Sequence, residues 1–349
     1  MSIDDEWNDF IENPDSFQPC IIESTINDNI KLIAKCTDIY ISTKTKIIYL
    51  NQAIDIYDVF WKIAIINYDD QKEGIIKKQI KISSTCKEYS QKLDEYLEGQ
   101  QSVVNKIINF IDNPNGRIKF KDIRKISIGI SKKDILYSRT KNKSAFYNCF
   151  VITLRIIYAG KFREFHIKVF NTGKLEIPGL QDDIMLQIII DKVTILLKEC
   201  TNENIYYNEH NIENILINSN FNCGFYIDRE KLFTIMRHKY FINVCYDPCS
   251  YPGIQCVYYY DSENNLNMAN NVNTKNIAKN ILKVSYMIFR TGSILIVGKC
   301  SEEILNNVYI FVKKLLFDEY DEICIKNIEN NTPVVKKCKQ KKKIIFIKS

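Results

Sequence analysis

The most informative stretch of the chain has apolar residues on both alternating sets of positions. In "YMIFRTGSILIVGK" (286–299), strand alternation puts Ile288, Ile294 and Ile296 on one face and Met287, Phe289, Leu295 and Val297 on the other. Successive strand side chains point to opposite faces, so this hairpin is apolar on both. It turns at Thr291-Gly292 and leads into a helix. Ser301 is a good N-cap, and Glu302 and Glu303 suit the positive end of the helix dipole. Ile304, Leu305, Val308, Val312 and Leu315 then recur at helical spacing. Helices can cover one apolar face. The other is either an exposed patch, which on a soluble protein marks a binding surface, or the seat of a further layer of the chain.

The hairpin is the second of two copies. "FHIKVFNTGKLEIPG" (165–179) lines up with "VSYMIFRTGSILIVG" (284–298), pairing Phe170 with Phe289, Thr172 with Thr291, Gly173 with Gly292 and Gly179 with Gly298 at an offset of 119. The first copy also runs into a helix, with Asp182 and Asp183 in its first turn and Met185, Ile188, Ile189, Val193 and Leu196 along one face. Upstream, "YDDQKEGIIKK" (68–78) resembles "YDPCSYPGIQC" (246–256) at an offset of 178. The difference, 178 − 119 = 59, predicts an insertion of that size in the first copy, between about Lys81 and Asn148. Within it, "CKEYSQKLDEYLEGQQSVVNKIINFIDNPNGR" reads as helix ended by an Asn-Pro-Asn-Gly turn, and the following "KFKDIRKISIGISKKDILYSRTKNK" as a strand and a basic loop.

Each copy opens with a polar strand (41–47 or 217–223) that leads to a helix. In the second, Asp228 is the N-cap and Leu232, Ile235 and Met236 are the buried stripe. The repeating unit of strand, helix, antiparallel strands and long helix predicts an α+β fold with helices on one face of a curved antiparallel sheet. The expected organisation is an acidic extension (1–30), a first repeat (31–200) with its insertion at about 82–148, a second repeat (201–325) and a basic tail (326–349).

Composition refines this picture. The chain has 349 residues, 46% of them hydrophobic, which is enough for a sizeable core. No apolar run is long enough to span a bilayer, and the acidic amino terminus lacks a signal-peptide layout, so an intracellular protein with mostly reduced thiols is expected. The abundance of Ile, Lys, Asn and Tyr points to an AT-rich genome such as that of a large DNA virus. In that case the compartments to consider are the host nucleus, a cytoplasmic viral factory and the virion. The formal net charge of +6 permits a nucleic-acid partner without requiring one. The tail "VVKKCKQKKKIIFIKS" is either a solvated end or a phosphate-contacting or nuclear-targeting arm.

"CYDPCSYPGIQC" followed by "VSYMIFRTGSILIVGKCSEEILNNVYIFVKKLL" resembles the second repeat of the TATA-box-binding protein family, and "KVFNTGKLEIPG" more loosely resembles the first. The resemblance covers most of 38–82 and 146–320 and looks like the versions found in large DNA viruses. It implies two pseudo-symmetric repeats forming one saddle-shaped sheet, with helices on the convex face and the apolar concave face on the minor groove of AT-rich DNA. Minor-groove edges of A·T pairs show only acceptors, so shape carries much of the readout there, and inserted rings unstack and kink base steps.

By the same resemblance, Phe170 and Phe289 are kinking rings and Tyr251 is the second ring of the second repeat. Its counterpart in the first repeat falls on Lys72 or Glu73, so one ring of four is lost. Leu295 and Val297, with Met287 beside them, line the groove; Asn218 and Asn220 take its centre. Lys174 is the hairpin lysine, replaced by Ser293 in the second copy, and Arg290 and Lys168 add phosphate contacts. Glu176 and Pro178 stand where groove-lining residues are expected, and a carboxylate there is unfavourable towards phosphates. Each of these residues also has a plain structural alternative: core packing for the phenylalanines, loop packing for Tyr251, a solvated edge for the asparagines and ordinary surface charge for Lys174 and Arg290.

No catalytic pattern is present. His166, His210 and His238 lack paired spacing, no phosphate-binding glycine loop occurs, and Cys245, Cys249, Cys256 and Cys223 lack the tight pairs of a zinc site. No metal or cofactor is therefore expected. The resemblance implies AT-rich double-stranded DNA, a factor-IIB-like protein and a multisubunit RNA polymerase as partners of a pseudo-dimeric monomer. The alternative is a protein-interaction module of the same fold that has lost promoter binding.

Overall fold

The structure is a computed structural model that describes residues 35–136, 146–261, 266–267 and 281–325. The described residues divide into two compact units, one within 45–213 and the other of 35–44 with those within 214–325. Each described part is an antiparallel sheet with helices packed on one face, an α+β fold.

The first unit contains β1 (Tyr40–Tyr49, which begins in the other unit), α1 (Ile56–Lys62), β2 (Gly74–Ser84), α2 (Lys87–Leu97), β3 (Val103–Asp112), β4 (Phe120–Gly129), α3 (Lys132–Leu136), β5 (Cys149–Tyr158), β6 (Lys161–Phe170), β7 (Lys174–Leu180) and α4 (Asp183–Thr201). Its strands lie in the order β1-β7-β6-β5-β2-β4-β3. Asp182 caps α4 by accepting from the Met185 amide at 2.7 Å, and Met185, Ile189, Ile190, Val193 and Leu197 of α4 are buried. They pack with Phe150, Ile152 and Leu154 of β5 and Ile167 and Val169 of β6.

The segment between β2 and β5 is built differently from the sequence reading. Its helix ends at Leu97, and Val103–Asp112 is a strand rather than a helix. The Pro-Asn-Gly turn closes a β3–β4 hairpin that adds two strands beyond β2. The β-branched run explains the outcome, because Val and Ile pack better on a pleated surface than against the preceding helical turn. The basic loop around 137–145 lies outside the described residues.

The second unit contains β8 (Glu213–Asn222), α5 (Arg229–His238), β9 (Val244–Cys245), β10 (Ile254–Asp261), β11 (Leu266–Asn267), β12 (Ile281–Ile288), β13 (Ser293–Gly298), α6 (Glu302–Asp318) and α7 (Tyr320–Ile323). Its order is β8-β13-β12-β10-β11, with β9 also on β10. Asp228 caps α5 and Ser301 caps α6, as their sequences predict. Ile288, Ile294 and Ile296 enter the core beneath these helices, together with Leu305, Val308 and Val312.

Candidate nucleic-acid interface

The two hairpin turns are built alike. Gly173 donates to the Phe170 carbonyl and Gly292 to the Phe289 carbonyl, both at 3.0 Å. Both glycines have positive φ, +79° and +78°, and an added Cβ would stand 2.1 Å from the Gln52 carbonyl oxygen or 2.3 Å from that of Phe225. The close approach is used: the Leu50 and Cys223 amides reach the Gly173 and Gly292 carbonyls at 2.9 Å. Asp55 and Asp228 then cap α1 and α5. These pairs share an offset of 173, which sets Thr45 and Ile47 of β1 in the places of Asn218 and Asn220.

Register fixes what lies on the face away from the helices. In the second unit Leu295 pairs with Met287 and Asn220, and Val297 with Ser285 and Asn218. In the first, Glu176 pairs with Lys168, Lys168 with Val151, and Phe170 with Cys149.

The ring positions follow from the same ladders. Tyr251 lies edge-on to Phe289 with ring centroids 6.0 Å apart. Gly253 makes room for both, since a Cβ there would be 3.0 Å from each ring. Ile254 pairs with Ile288, which sets Gly253 beside Phe289; Cys149 pairs with Phe170. Cys149 therefore corresponds to Gly253, and two residues earlier Tyr147 corresponds to Tyr251.

The register thus puts this ring position at Tyr147 and not at Lys72 or Glu73. Glu73 instead accepts from the Ile157 amide at 2.6 Å and from Lys192 at 2.9 Å, and the Lys72 carbonyl accepts from Arg155 at 3.0 Å, all at the far end of β5. Between offsets of 173 and 104 the first repeat gains 69 residues, and between 104 and 119 the second regains 15. Those 15 lie between β10 and β12, and they hid Tyr147 from a constant-offset alignment. The aromatic pair Phe146-Tyr147 directly before a strand was the available signal. The Tyr147 ring carries Lys81 Nζ at 3.9 Å from its centroid, and the Phe170 ring carries Lys174 Nζ at 4.9 Å.

Burial corrects a second expectation. Phe289, Leu295 and Val297 are not bare: they are 8%, 7% and 8% exposed. None belongs to the core under the helices. Their lateral cover is clear from the ladder, because β13 is an inner strand flanked on this face by Met287, Ser285, Asn218 and Asn220, and Tyr251 shields Phe289. Phe170, Tyr251, Met287, Asn218, Asn220 and Lys174 are half-buried, Arg290 and Tyr147 are exposed, and Pro178 is buried.

The polar groups are partly committed. Asn220 Nδ2 donates to Ser42 Oγ at 2.7 Å. Lys168 reaches Glu176 at 2.6 Å, so the carboxylate that looked hostile to phosphate is matched across the strands. Burial pulls His166 down to about 4, so it adds no charge to this face at neutral pH. Burial also pushes the Tyr251 hydroxyl up, so it stays protonated. Among the described residues no cluster of three or more His, Cys, Asp or Glu could hold a metal ion.

Comparison with known proteins agrees with the motifs. No family model matches the chain. A protein of Acanthamoeba polyphaga mimivirus named "TATA-box-binding protein-like" is 26% identical over 324 residues, 86% of this chain and 80% of that protein. In sequence the chain is similar to that TATA-box-binding-protein-like protein. Among solved structures, Methanococcus jannaschii TBP aligns at 11% identity over 81% of this chain and 99% of that one, with a TM-score of 0.41.

The chain's strand register departs less from the quoted motifs than its linear sequence suggests. Tyr147, on the far side of an insertion, places a ring at the position equivalent to Tyr251. Glu176 and Pro178 of β7 stand where the second copy has Leu295 and Val297, and both loop ring positions hold tyrosine.

Proposed function

We propose that this chain is a non-enzymatic transcription initiation factor whose two repeats bind the minor groove of AT-rich promoter DNA. In this reading it also recruits a factor-IIB-like protein and a multisubunit RNA polymerase. One observation carries it: each repeat places two aromatic rings at equivalent positions, Tyr147 with Phe170 and Tyr251 with Phe289, at the end of an antiparallel sheet. A pair of ring positions in each repeat suits insertion between base steps, which kinks the duplex and is offset by added contact. Leu295 and Val297 of the second repeat, once uncovered, suit a groove floor that offers acceptors and no donors. The partner proteins rest on the family resemblance.

The burial of Phe289, Leu295 and Val297 favours a second reading, a protein-interaction module without promoter binding. Selection of bound duplexes from a random pool, followed by bending measured by energy transfer between end labels, separates the two. Enrichment of AT-rich sequences, with bending lost in Phe170→Ala and Phe289→Ala, supports the first. No enrichment and no salt-sensitive binding supports the second.

A further inference from the structure

The inserted hairpin continues the ring-bearing face of the first repeat. Phe170 of β6 pairs with Cys149 of β5, and Lys81 of β2 follows the Ile80–Phe150 pair, so it stands next to Cys149. Lys81 pairs with Lys125 of β4, and Lys125 with Lys106 of β3. Five strands thus carry Phe170, Cys149, Lys81, Lys125 and Lys106 in one line. In the adjacent row Gln79 Nε2 donates to Ser127 Oγ at 2.8 Å, which shows that β2 and β4 share this face. With strands about 4.8 Å apart, the three lysines span about 10 Å, and Lys106 lies about 19 Å from Phe170.

Like charges directly opposite one another destabilise an antiparallel pair. Burial, then repulsion from Lys77 and Lys106, holds Lys125 below its ordinary value. Two other cations of this face are matched: Lys77 by Asp134 and Lys168 by Glu176, both at 2.6 Å. Among the described residues Lys81 and Lys125 make no ion pair, and Lys81 lies over the Tyr147 ring. A polyanion laid along this row would relieve the repulsion. Phosphates rise about 3.4 Å per step along one strand, so 10 Å matches about three steps.

We propose that Lys81, Lys125 and Lys106 form a ledge that grips the backbone phosphates of duplex DNA flanking the site held by the rings. The ledge rests on the minor-groove reading above. Its test uses the full chain with all three lysines changed to Gln, and a second variant with all three changed to Arg. Affinity is measured for an AT-rich duplex and for the same duplex extended on either side, over a range of salt, with a cleavage footprint.

Wild type and the Arg variant should gain affinity and footprint on one extended side. The Gln variant should lose that gain, and its slope of log affinity against log salt should fall by about 2 to 3. A Gln variant with wild-type slope and footprint overturns the ledge while leaving the minor-groove reading intact, and an Arg variant as impaired as Gln does the same. Lysine-dependent binding without AT preference or bending upholds the ledge and fails the minor-groove reading. No duplex binding by wild type overturns both. Binding of an acidic peptide in place of duplex, lost in the Gln variant, makes the partner a protein and overturns the assignment to DNA.

Discussion

Lys78 is a buried cation that serves the fold, not the interface. It stands on the helix-facing side of β2, 2% exposed, and its Nζ donates to the Phe60 and Ile63 carbonyls at 2.9 and 2.7 Å. Those carbonyls end α1 and have no partner within it, so the ammonium acts as a C-cap from another element. Lys78→Met should cost about 1–3 kcal/mol, because it leaves buried acceptors without a donor. Burial lowers the amine from 10.5 to about 8. Between those values the unfolded chain binds more protons than the folded one, so this residue's contribution makes stability rise as pH rises from 8 towards 10.5. Urea midpoints across that range should show the increment in wild type and lose it in Lys78→Met. Gly292 makes a second residue-scale test. Gly292→Ala sets a Cβ against the Phe225 carbonyl in a positive-φ turn and should cost more than about 1 kcal/mol, read from the same midpoints.

At the scale of elements, the insertion is fastened on its helix side by a polar knot. Arg124 Nε donates to Asp122 at 2.6 Å and its Nη2 to Ser90 Oγ at 2.8 Å; Asp94 of α2 closes the knot from the other side. Asp122 is 1% exposed, so Arg124→Ala leaves a buried carboxylate without its cation, a loss of about 3–5 kcal/mol. Hydrogen exchange should then speed up in α2, β3 and β4, while α5 and α6 of the other unit keep their protection. Uniform loss of protection would mean that the knot stabilises more than the insertion. The sequence made some elements plain and others not, for physical reasons. Asp182, Asp228 and Ser301 declare their helices because capping is local. Val103–Asp112 misleads because its apolar spacing fits either period, and the choice is made by pairing with β4, a partner no local window contains. Tyr147 was hidden for the same reason: its role depends on register against Phe170.

At the scale of the whole molecule, the DNA-binding reading must be reconciled with a covered face. A ring at 8% exposure cannot stack on a base, and Leu295 and Val297 at 7% and 8% cannot line a groove as they stand. Sequence alternation identified which residues share that face, yet it could not report cover, since a strand's pattern is the same whether water, DNA or protein meets it. If duplex binds there, binding must be coupled to exposure of these side chains. The uncovered form is then a minor population, and the apparent affinity is reduced by its fraction. The first repeat differs, because Phe170 is half-buried and Tyr147 exposed. Two steps should therefore be visible when excess AT-rich duplex is mixed rapidly with the chain. A fast, salt-sensitive phase should rise linearly with DNA concentration and weaken in Phe170→Ala. A slower phase should level off at high DNA concentration and disappear in Phe289→Ala, because uncovering limits it. A single linear phase, sensitive to Phe289, would mean that the second face is open in solution and that cover contributes nothing to recognition.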